Sequence, residues 1–278
     1  MTIFTEVRDT LHARPVGSCI YCGSRDDLTD EHIIPAALGG NYVLPQSSCK
    51  DCNKITSKFE KEVLRGFMWE ARVAANFPTR RPKERPKTLP LEVERGGKYE
   101  TVQIAASDHP GFLDLPLLAP AGVLVGRPPT RGVMIQGHER LLFGKHPGDV
   151  LKQLGATAMK ATFNWDVTAF AKLLAKIGYG MAVAHLGALP LDQIKVLPLI
   201  RGEADDASYW IGSETFRLKI EERRPNHAAM LMRVPDPGER FADLLCVRVK
   251  LFAPSGATGY RVVLRKVWRP IGVPAEPR

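Results

Sequence analysis

Two cysteine pairs near the N-terminus are the residues of this chain best suited to hold a metal ion. Cys19 and Cys22 form one C-x-x-C turn, and Cys49 and Cys52 form the second. Paired turns of this kind offer zinc four tetrahedral thiolates, so the spacing predicts a closed, structural zinc site. Two disulfides or four unrelated thiols are the alternatives, which the cytosolic character of the chain disfavours.

The segment between the two pairs bears on what the zinc site is for. A plain zinc ribbon that presents loops to a partner would explain the cysteines alone equally well. However, LTDEHIIPAALGGNYVLPQSS lies between the pairs, and Asn53 follows the second. The order C-x-x-C, E-H-I-I-P, G-G-N and C-x-x-C-N resembles the zinc-containing, ββα-metal branch of the HNH endonuclease family. The resemblance covers roughly residues 18–65, and we recognise nothing comparable in the remainder.

This resemblance implies a metal-dependent nuclease that hydrolyses phosphodiester bonds. His32 matches the general base of the family, and its imidazole can take a proton from water at neutral pH. Glu31 and Asn53 match the positions that hold a single divalent ion, and their oxygen atoms suit Mg²⁺ or Mn²⁺. Asn41 matches the middle residue, whose amide ties the loop and orients the histidine. A zinc-dependent module that binds nucleic acid or protein without cutting is the alternative.

Two positions depart from the commonest family pattern. The residue before the histidine is often aspartate, whereas this chain has Glu31 with Asp30 behind it. Either carboxylate can reach an ion, and position favours Glu31 over Asp30 as the ligand. The last motif position is Asn53 where many relatives have histidine, which bears on the preferred metal more than on the activity.

The elements around these residues must bring them together. Adjacent strand residues point to opposite sides, so Glu31 and His32 serve one site only if the strand ends or bends there. Pro35 and the following Gly-Gly pair supply such an ending. Asn53 is expected in the first turn of a helix that begins after the second cysteine pair, so that zinc would fix the placement of a catalytic ligand.

Basic residues follow the motif and suggest where nucleic acid would bind. Spacings of four, three and four place one basic stripe on the predicted helix: Lys54, Lys58, Lys61 and Arg65. A neighbouring apolar stripe, expected to face the core, contains Ile55, Phe59, Val63 and Phe67. Arg80 and Arg81 begin a second basic, proline-rich segment. A solvated helix face and a soluble spacer are the alternative interpretations.

The sequence predicts an α+β protein of two domains. We expect a small zinc-stapled ββα module at residues 1–77, a basic Pro-rich linker at 78–90, and an α+β domain at 91–278 for target recognition or regulation. LEVERGGKYETVQIA is typical of a β-hairpin, GVMIQGHERLLFG suggests another, and a helix capped by Asp166 is expected to bury one face. Strand-forming runs follow: YWIGS, TFRLKIEE, AAMLMRV, LLCVRVKLF and YRVVLRKV, the fourth with Cys246 as a buried thiol.

Charge and hydropathy limit the class of partner. The formal charge of +9 favours a polyanion, and we expect nucleic acid, with DNA favoured over RNA. No run of 18 apolar residues occurs, so we expect a cytoplasmic protein without a membrane partner. Whether copies of the chain associate stays open. By family analogy, a role in phage defence or restriction is a hypothesis.

Overall fold

The protein combines one large antiparallel sheet with three small sheets and six helices in the part of the chain described. This computed structural model describes residues 2–4, 10–79, 81–214 and 227–269. The helices are α1 (Lys50–Arg65), α2 (Trp69–Ala74), α3 (Pro147–Leu154), α4 (Val167–Leu186), α5 (Leu197–Arg201) and α6 (Ala207–Trp210). The first strands are β1 (Thr2–Phe4), β2 (Leu11–His12), β3 (Leu28–His32), β4 (Tyr42–Cys49), β5 (Thr88–Arg95), β6 (Lys98–Ala105) and β7 (Phe112–Leu118). The remaining strands are β8 (Ile135–Leu142), β9 (Ala158–Lys160), β10 (Ile211–Ser213), β11 (His227–Pro235), β12 (Ala242–Leu251) and β13 (Tyr260–Trp268).

The first unit is a ββα module formed by β3, β4 and α1. β3 and β4 pair antiparallel, β2 joins β4 in parallel, and α1 follows β4 without an intervening loop. Cys49 caps α1, since its sulfur accepts a hydrogen bond from the backbone N–H of Cys52. The loop between the strands passes very close to itself, because a Cβ on Gly40 would lie 2.0 Å from the Ile34 carbonyl oxygen. Only glycine therefore fits at position 40.

The C-terminal half is built on a five-stranded antiparallel sheet with the order β1-β11-β12-β13-β10. α4 packs against this sheet on one side and against α1 on the other. The helix begins where the sequence predicts, because the Asp166 carboxylate accepts a hydrogen bond from the Ala169 N–H at 2.8 Å. The fold is therefore a mixed α+β structure, as predicted, with a buried central helix.

The core of this fold is shared between the two halves of the chain. Cys19, Phe59 and Val63 of the first half belong to the same buried apolar cluster as Phe170 of α4 and Val262 of β13. The predicted division at residues 77 and 91 stays a prediction. The expected linker itself contains a 3₁₀ turn at Pro82–Glu84, and β5 already begins at Thr88.

Most strand predictions are confirmed, and one hairpin is wrong. β5 and β6 form the expected hairpin around Gly96 and Gly97, both with positive φ. GVMIQGHERLLFG instead supplies the single strand β8, which pairs with the distant β7, and its Gly137 lies within the strand opposite Leu117. YWIGS contributes only its last three residues to a strand, and TFRLKIEE lies outside the described residues. Cys246 is a buried thiol in β12, as expected.

α4 is long and apolar enough to meet the length and composition test for a membrane span. However, 78% of its most apolar 18-residue window is buried inside the protein. A helix covered in this way by the surrounding chain is consistent with the core helix of a soluble protein.

Candidate functional site

The four motif cysteines converge at one point beside the N-terminus of α1. Their Sγ atoms all lie within 4.8 Å of one another, and those of Cys22 and Cys49 are 3.6 Å apart. Sulfurs bound tetrahedrally to one zinc ion lie about 3.8 Å apart, whereas a disulfide needs about 2.05 Å. The geometry therefore fits a shared ion, and the cluster is a candidate zinc site, as the sequence predicts.

The surroundings of the sulfur cluster also suit a cation. Burial opposes ionisation of Cys49, but the N–H of Cys52 and the neighbouring thiols lower the pKa of the Cys49 thiol overall. Burial and the negative charge that Cys19 would carry instead raise the pKa of Cys52. Four crowded thiols resist ionising together unless a metal compensates their charge, so zinc binding and proton release are linked here.

β3 sends its two acidic side chains in opposite directions. Asp30 is exposed and accepts a hydrogen bond at 3.0 Å from the backbone N–H of Gln46, which has positive φ in an irregular part of β4. Glu31, in contrast, is only 4% exposed. The two carboxylates therefore do not share one face of the strand, and Asp30 points away from the protein interior.

Glu31 is held by a lysine from a distant part of the chain. Its Oε1 lies 2.6 Å from Nζ of Lys176 on α4, and the same Nζ lies 2.5 Å from Oε1 of Glu60 on α1. The other oxygen of Glu31, Oε2, is buried and has no hydrogen-bond partner. Burial raises the pKa of Glu31, while the charge of Lys176 and the nearby Ser48 hydroxyl oppose that rise. With both carboxylates ionised, the cluster has one excess negative charge, which favours a further cation.

His32 is the last residue of β3 and lies beside this ion-pair cluster. Its backbone carbonyl accepts a hydrogen bond of 2.6 Å from Lys176, and the residue pairs with Val43 across the sheet. The expected end or bend of the strand between Glu31 and His32 is not seen, because both residues pair with β4, opposite Leu44 and Val43, and the irregularity in the pairing lies before Glu31. Asn41 lies at the other end of the connecting loop, and its carbonyl accepts a hydrogen bond from the Leu11 N–H at 2.8 Å.

Asn53 lies in α1, but not quite where the sequence predicts. The helix begins at Lys50, so Cys52 is already within its first turn and Asn53 directly follows it. The expectation that the helix begins after the cysteine pair is wrong, because Cys49 itself caps the helix. Asn53 is half-buried, and its Oδ1 accepts a hydrogen bond from the Ser57 hydroxyl at 3.2 Å. An amide oxygen can accept a second interaction, so it still suits a metal ion.

The donors at this site fit the divalent ion that the motif implies. Glu31 offers one buried oxygen without a partner, and Asn53 offers an amide oxygen on the adjacent helix. Carboxylate and amide oxygens are the ligands that Mg²⁺ and Mn²⁺ prefer.

The predicted basic stripe is exposed along α1. All four members are exposed, although Lys54 is paired with Asp51 at 2.9 Å. The apolar stripe is only partly as expected: Phe59 and Val63 are buried and Phe67 is partly buried, but Ile55 is 40% exposed. Thr56 is buried in α1 in place of Ile55, because it lies in line with the buried Cys52, Phe59 and Val63.

In the second basic segment, the structure describes Arg81 but not Arg80. Arg81 is exposed and paired with Glu84 at 3.1 Å. Arg80 lies outside the described residues.

Three residues beyond the motif were missed by the sequence interpretation although they contact it. Lys176 reaches Glu31 and His32, Tyr179 donates a hydrogen bond to the Ile20 carbonyl at 2.7 Å, and His227 approaches the Leu38 carbonyl at 2.7 Å. The signal for Lys176 was available, since a lysine within an otherwise apolar helix must find buried acidic partners. The other two had no local signal, because their partners are backbone atoms far away in sequence.

Comparison with known proteins gives one match, which covers the ββα module. Residues 19–68 match the model of an HNH endonuclease family, and the C-terminal region has no family match. No curated protein and no solved structure matches the chain. The matched residues begin at Cys19 and end just after α1, so they include the sulfur cluster and every motif residue described above.

Proposed function

We propose that this protein is a metal-dependent endonuclease that hydrolyses phosphodiester bonds of nucleic acid at the site formed by β3, β4 and α1. The observation that supports this function most is the family match over residues 19–68, within which the four motif cysteines cluster around one point. A zinc ion held by those cysteines would be structural, because four protein ligands leave no open position. Catalysis would take place at the neighbouring oxygen-lined site.

Each motif residue has a distinct task in this proposal. His32 accepts a proton from the attacking water through its imidazole. Asn41 orients His32 from across the loop. Glu31 and Asn53 hold the divalent ion, with Asp30 as the alternative ligand. When bound, Mg²⁺ or Mn²⁺ compensates the negative charge that grows on the scissile phosphate and the departing oxygen.

Asp30 is the weaker candidate for the ligand position. Its carboxylate is exposed and is engaged with the Gln46 N–H, whereas Glu31 has a buried oxygen without a partner. A buried carboxylate oxygen lacking a partner costs free energy, and an ion would remove that cost. Glu31 therefore remains the preferred ligand, as its position in the motif implies.

DNA is the preferred substrate in this proposal, and a role in phage defence or restriction is the biological context. The net charge of +9 and the exposed stripe on α1 support a polyanionic substrate. The C-terminal sheet would then select the target. The preference for DNA, the role in defence and the selection of a target are thus proposed for the whole chain, whereas the family match covers residues 19–68.

A cleavage assay tests the proposal. Supercoiled plasmid, linear duplex and single-stranded RNA are incubated with the protein and Mg²⁺ or Mn²⁺, and the variant His32→Ala is compared with His146→Ala. His146 is an exposed residue at the start of α3 and serves as the matched control. We expect loss of a general base to slow cutting by about 10²- to 10⁴-fold without changing the zinc content.

Two results would contradict the proposal. Equal cutting by wild type and His32→Ala would remove the assigned general base. Binding of nucleic acid without any cutting, under all three substrates and both ions, would favour the non-cutting binding module instead.

A further inference from the structure

One buried ammonium group connects three parts of the nuclease site. We propose that Lys176 is a positioning residue of this site: it holds one oxygen of Glu31 and the carbonyl of His32, and so presents the other Glu31 oxygen to the catalytic ion. This inference rests on the proposed nuclease function. It assigns a role at the site to α4, which lies outside the matched residues 19–68.

The contacts of Lys176 use every donor that its ammonium has. Nζ lies 2.6 Å from Glu31 Oε1, 2.5 Å from Glu60 Oε1 and 2.6 Å from the His32 carbonyl oxygen. An ammonium has three N–H donors, and charge-assisted hydrogen bonds are shorter and stronger than neutral ones. The side chain is 2% exposed, so water does not compete for these contacts. The ammonium is therefore fixed in direction as well as in position.

This arrangement determines which atom of Glu31 remains available. Oε1 is occupied by Lys176, whereas Oε2 is buried and has no hydrogen-bond partner. A carboxylate restrained through one oxygen cannot rotate freely, so its second oxygen keeps one direction. A metal ligand preorganised in this way binds its ion without first losing side-chain entropy.

The same ammonium also fixes the backbone at the proposed base. The carbonyl of His32 is at the end of β3, next to the Ile33 N–H that donates a hydrogen bond at 3.0 Å to the Tyr42 carbonyl of β4. Holding this carbonyl and Glu60 of α1 together ties the end of the strand to the helix that contains Asn53. Arginine cannot reproduce this geometry, because its planar guanidinium spreads its donors over several atoms instead of one.

The experiment compares Lys176→Arg and Lys176→Met with Lys172→Met. Lys172 lies one turn earlier on α4, is half-buried and takes no part in the site, so its variant controls for loss of a lysine from this helix. Lys176→Arg keeps the positive charge and guards against a variant that fails to fold. For each protein, the measurements are zinc content, thermal midpoint, Mn²⁺ affinity from the electron paramagnetic resonance signal of free Mn²⁺, and cleavage rate against Mn²⁺ concentration.

We expect Lys176→Arg to fold and keep its zinc while its Mn²⁺ affinity and cleavage rate fall by about 10- to 100-fold, as for other residues that orient metal ligands. Lys172→Met should stay within about twofold of wild type in both. Wild-type Mn²⁺ affinity and rate in folded Lys176→Arg would overturn the positioning role. Absence of cutting by the wild type would instead overturn the nuclease function, while the Mn²⁺ measurement would still decide whether Lys176 positions the ion ligand.

Discussion

Acidification should destabilise this protein through one buried histidine that holds the loop between β3 and β4. His227 lies at the start of β11, 4% exposed, with Nε2 2.7 Å from the Leu38 carbonyl oxygen and Nδ1 3.3 Å from the Phe252 N–H. The neutral ring with its proton on Nε2 satisfies both contacts, since it donates to the carbonyl and accepts from the amide. Protonation of Nδ1 would turn it into a donor that faces the N–H of Phe252, so this hydrogen bond would be lost.

The size of the effect follows from the pKa of this histidine. Burial lowers the pKa of His227 from 6.5 to about 4, although the Leu38 carbonyl opposes that change. In the unfolded chain the imidazole takes up a proton below about pH 6.5, whereas in the folded protein it stays neutral until about pH 4. Its contribution is thus fully present above about pH 6.5 and is lost as the pH falls towards 4. Between pH 7 and pH 5 the loss is about 2 kcal/mol in the free energy of unfolding.

Urea unfolding followed by circular dichroism at both pH values measures this loss. The variant His227→Gln keeps an amide near Leu38 but has no group that titrates in this range. His109 and His185 also have lowered pKa values from burial, and they contribute equally to both proteins. Wild type should therefore lose about 2 kcal/mol more than the variant between pH 7 and pH 5. Equal losses in the two proteins would refute the assignment of a neutral, buried His227.

Two further predictions concern the zinc site and the basic stripe. Removal of zinc with a strong chelator should lower the thermal midpoint and abolish cutting, because structural zinc contributes about 10–16 kcal/mol of apparent binding free energy in small modules. Cys52→Ser should show the same loss of thermal midpoint and cutting, with zinc content near zero, whereas Cys246→Ser should retain zinc. An unchanged thermal midpoint after chelation would contradict a structural role of the zinc. The double variant Lys58→Glu/Lys61→Glu should weaken nucleic-acid binding and reduce the dependence of log Kd on log salt by about two, since each phosphate contact contributes about one. An unchanged salt dependence would leave the stripe as a solvated helix face.

Local patterns in the sequence predict the motif and much of the fold. The cysteine spacing identifies the sulfur cluster because C-x-x-C turns determine ligand positions within a few residues. The Asp166 cap and the apolar periodicity after it predict α4, and the Gly-Gly turn predicts the β5–β6 hairpin. Each of these features depends on residues that are close together in the chain.

The errors arise where a distant partner decides the structure. GVMIQGHERLLFG forms one strand because β7 pairs along its whole length, which no pattern within the segment indicates. In α1, Thr56 is buried and Ile55 is exposed, because Thr56 lies in line with the buried Cys52, Phe59 and Val63 at spacings of four, three and four. A polar residue therefore occupies the buried position that hydrophobic periodicity assigns to Ile55.

The contacts of α4 indicate which parts of the chain outside residues 19–68 support the matched module. The family match ends at residue 68, yet Lys176 compensates the charge of Glu31 and Tyr179 donates to the Ile20 carbonyl beside the first cysteine pair. A ββα module without α4 would bury or expose two carboxylates, Glu31 and Glu60, with no counterion between them. Because removing one partner of a buried ion pair destabilises strongly, we expect the matched residues alone to be less stable than they are in the whole chain. The matched module and the C-terminal half therefore share α4 as a common structural element.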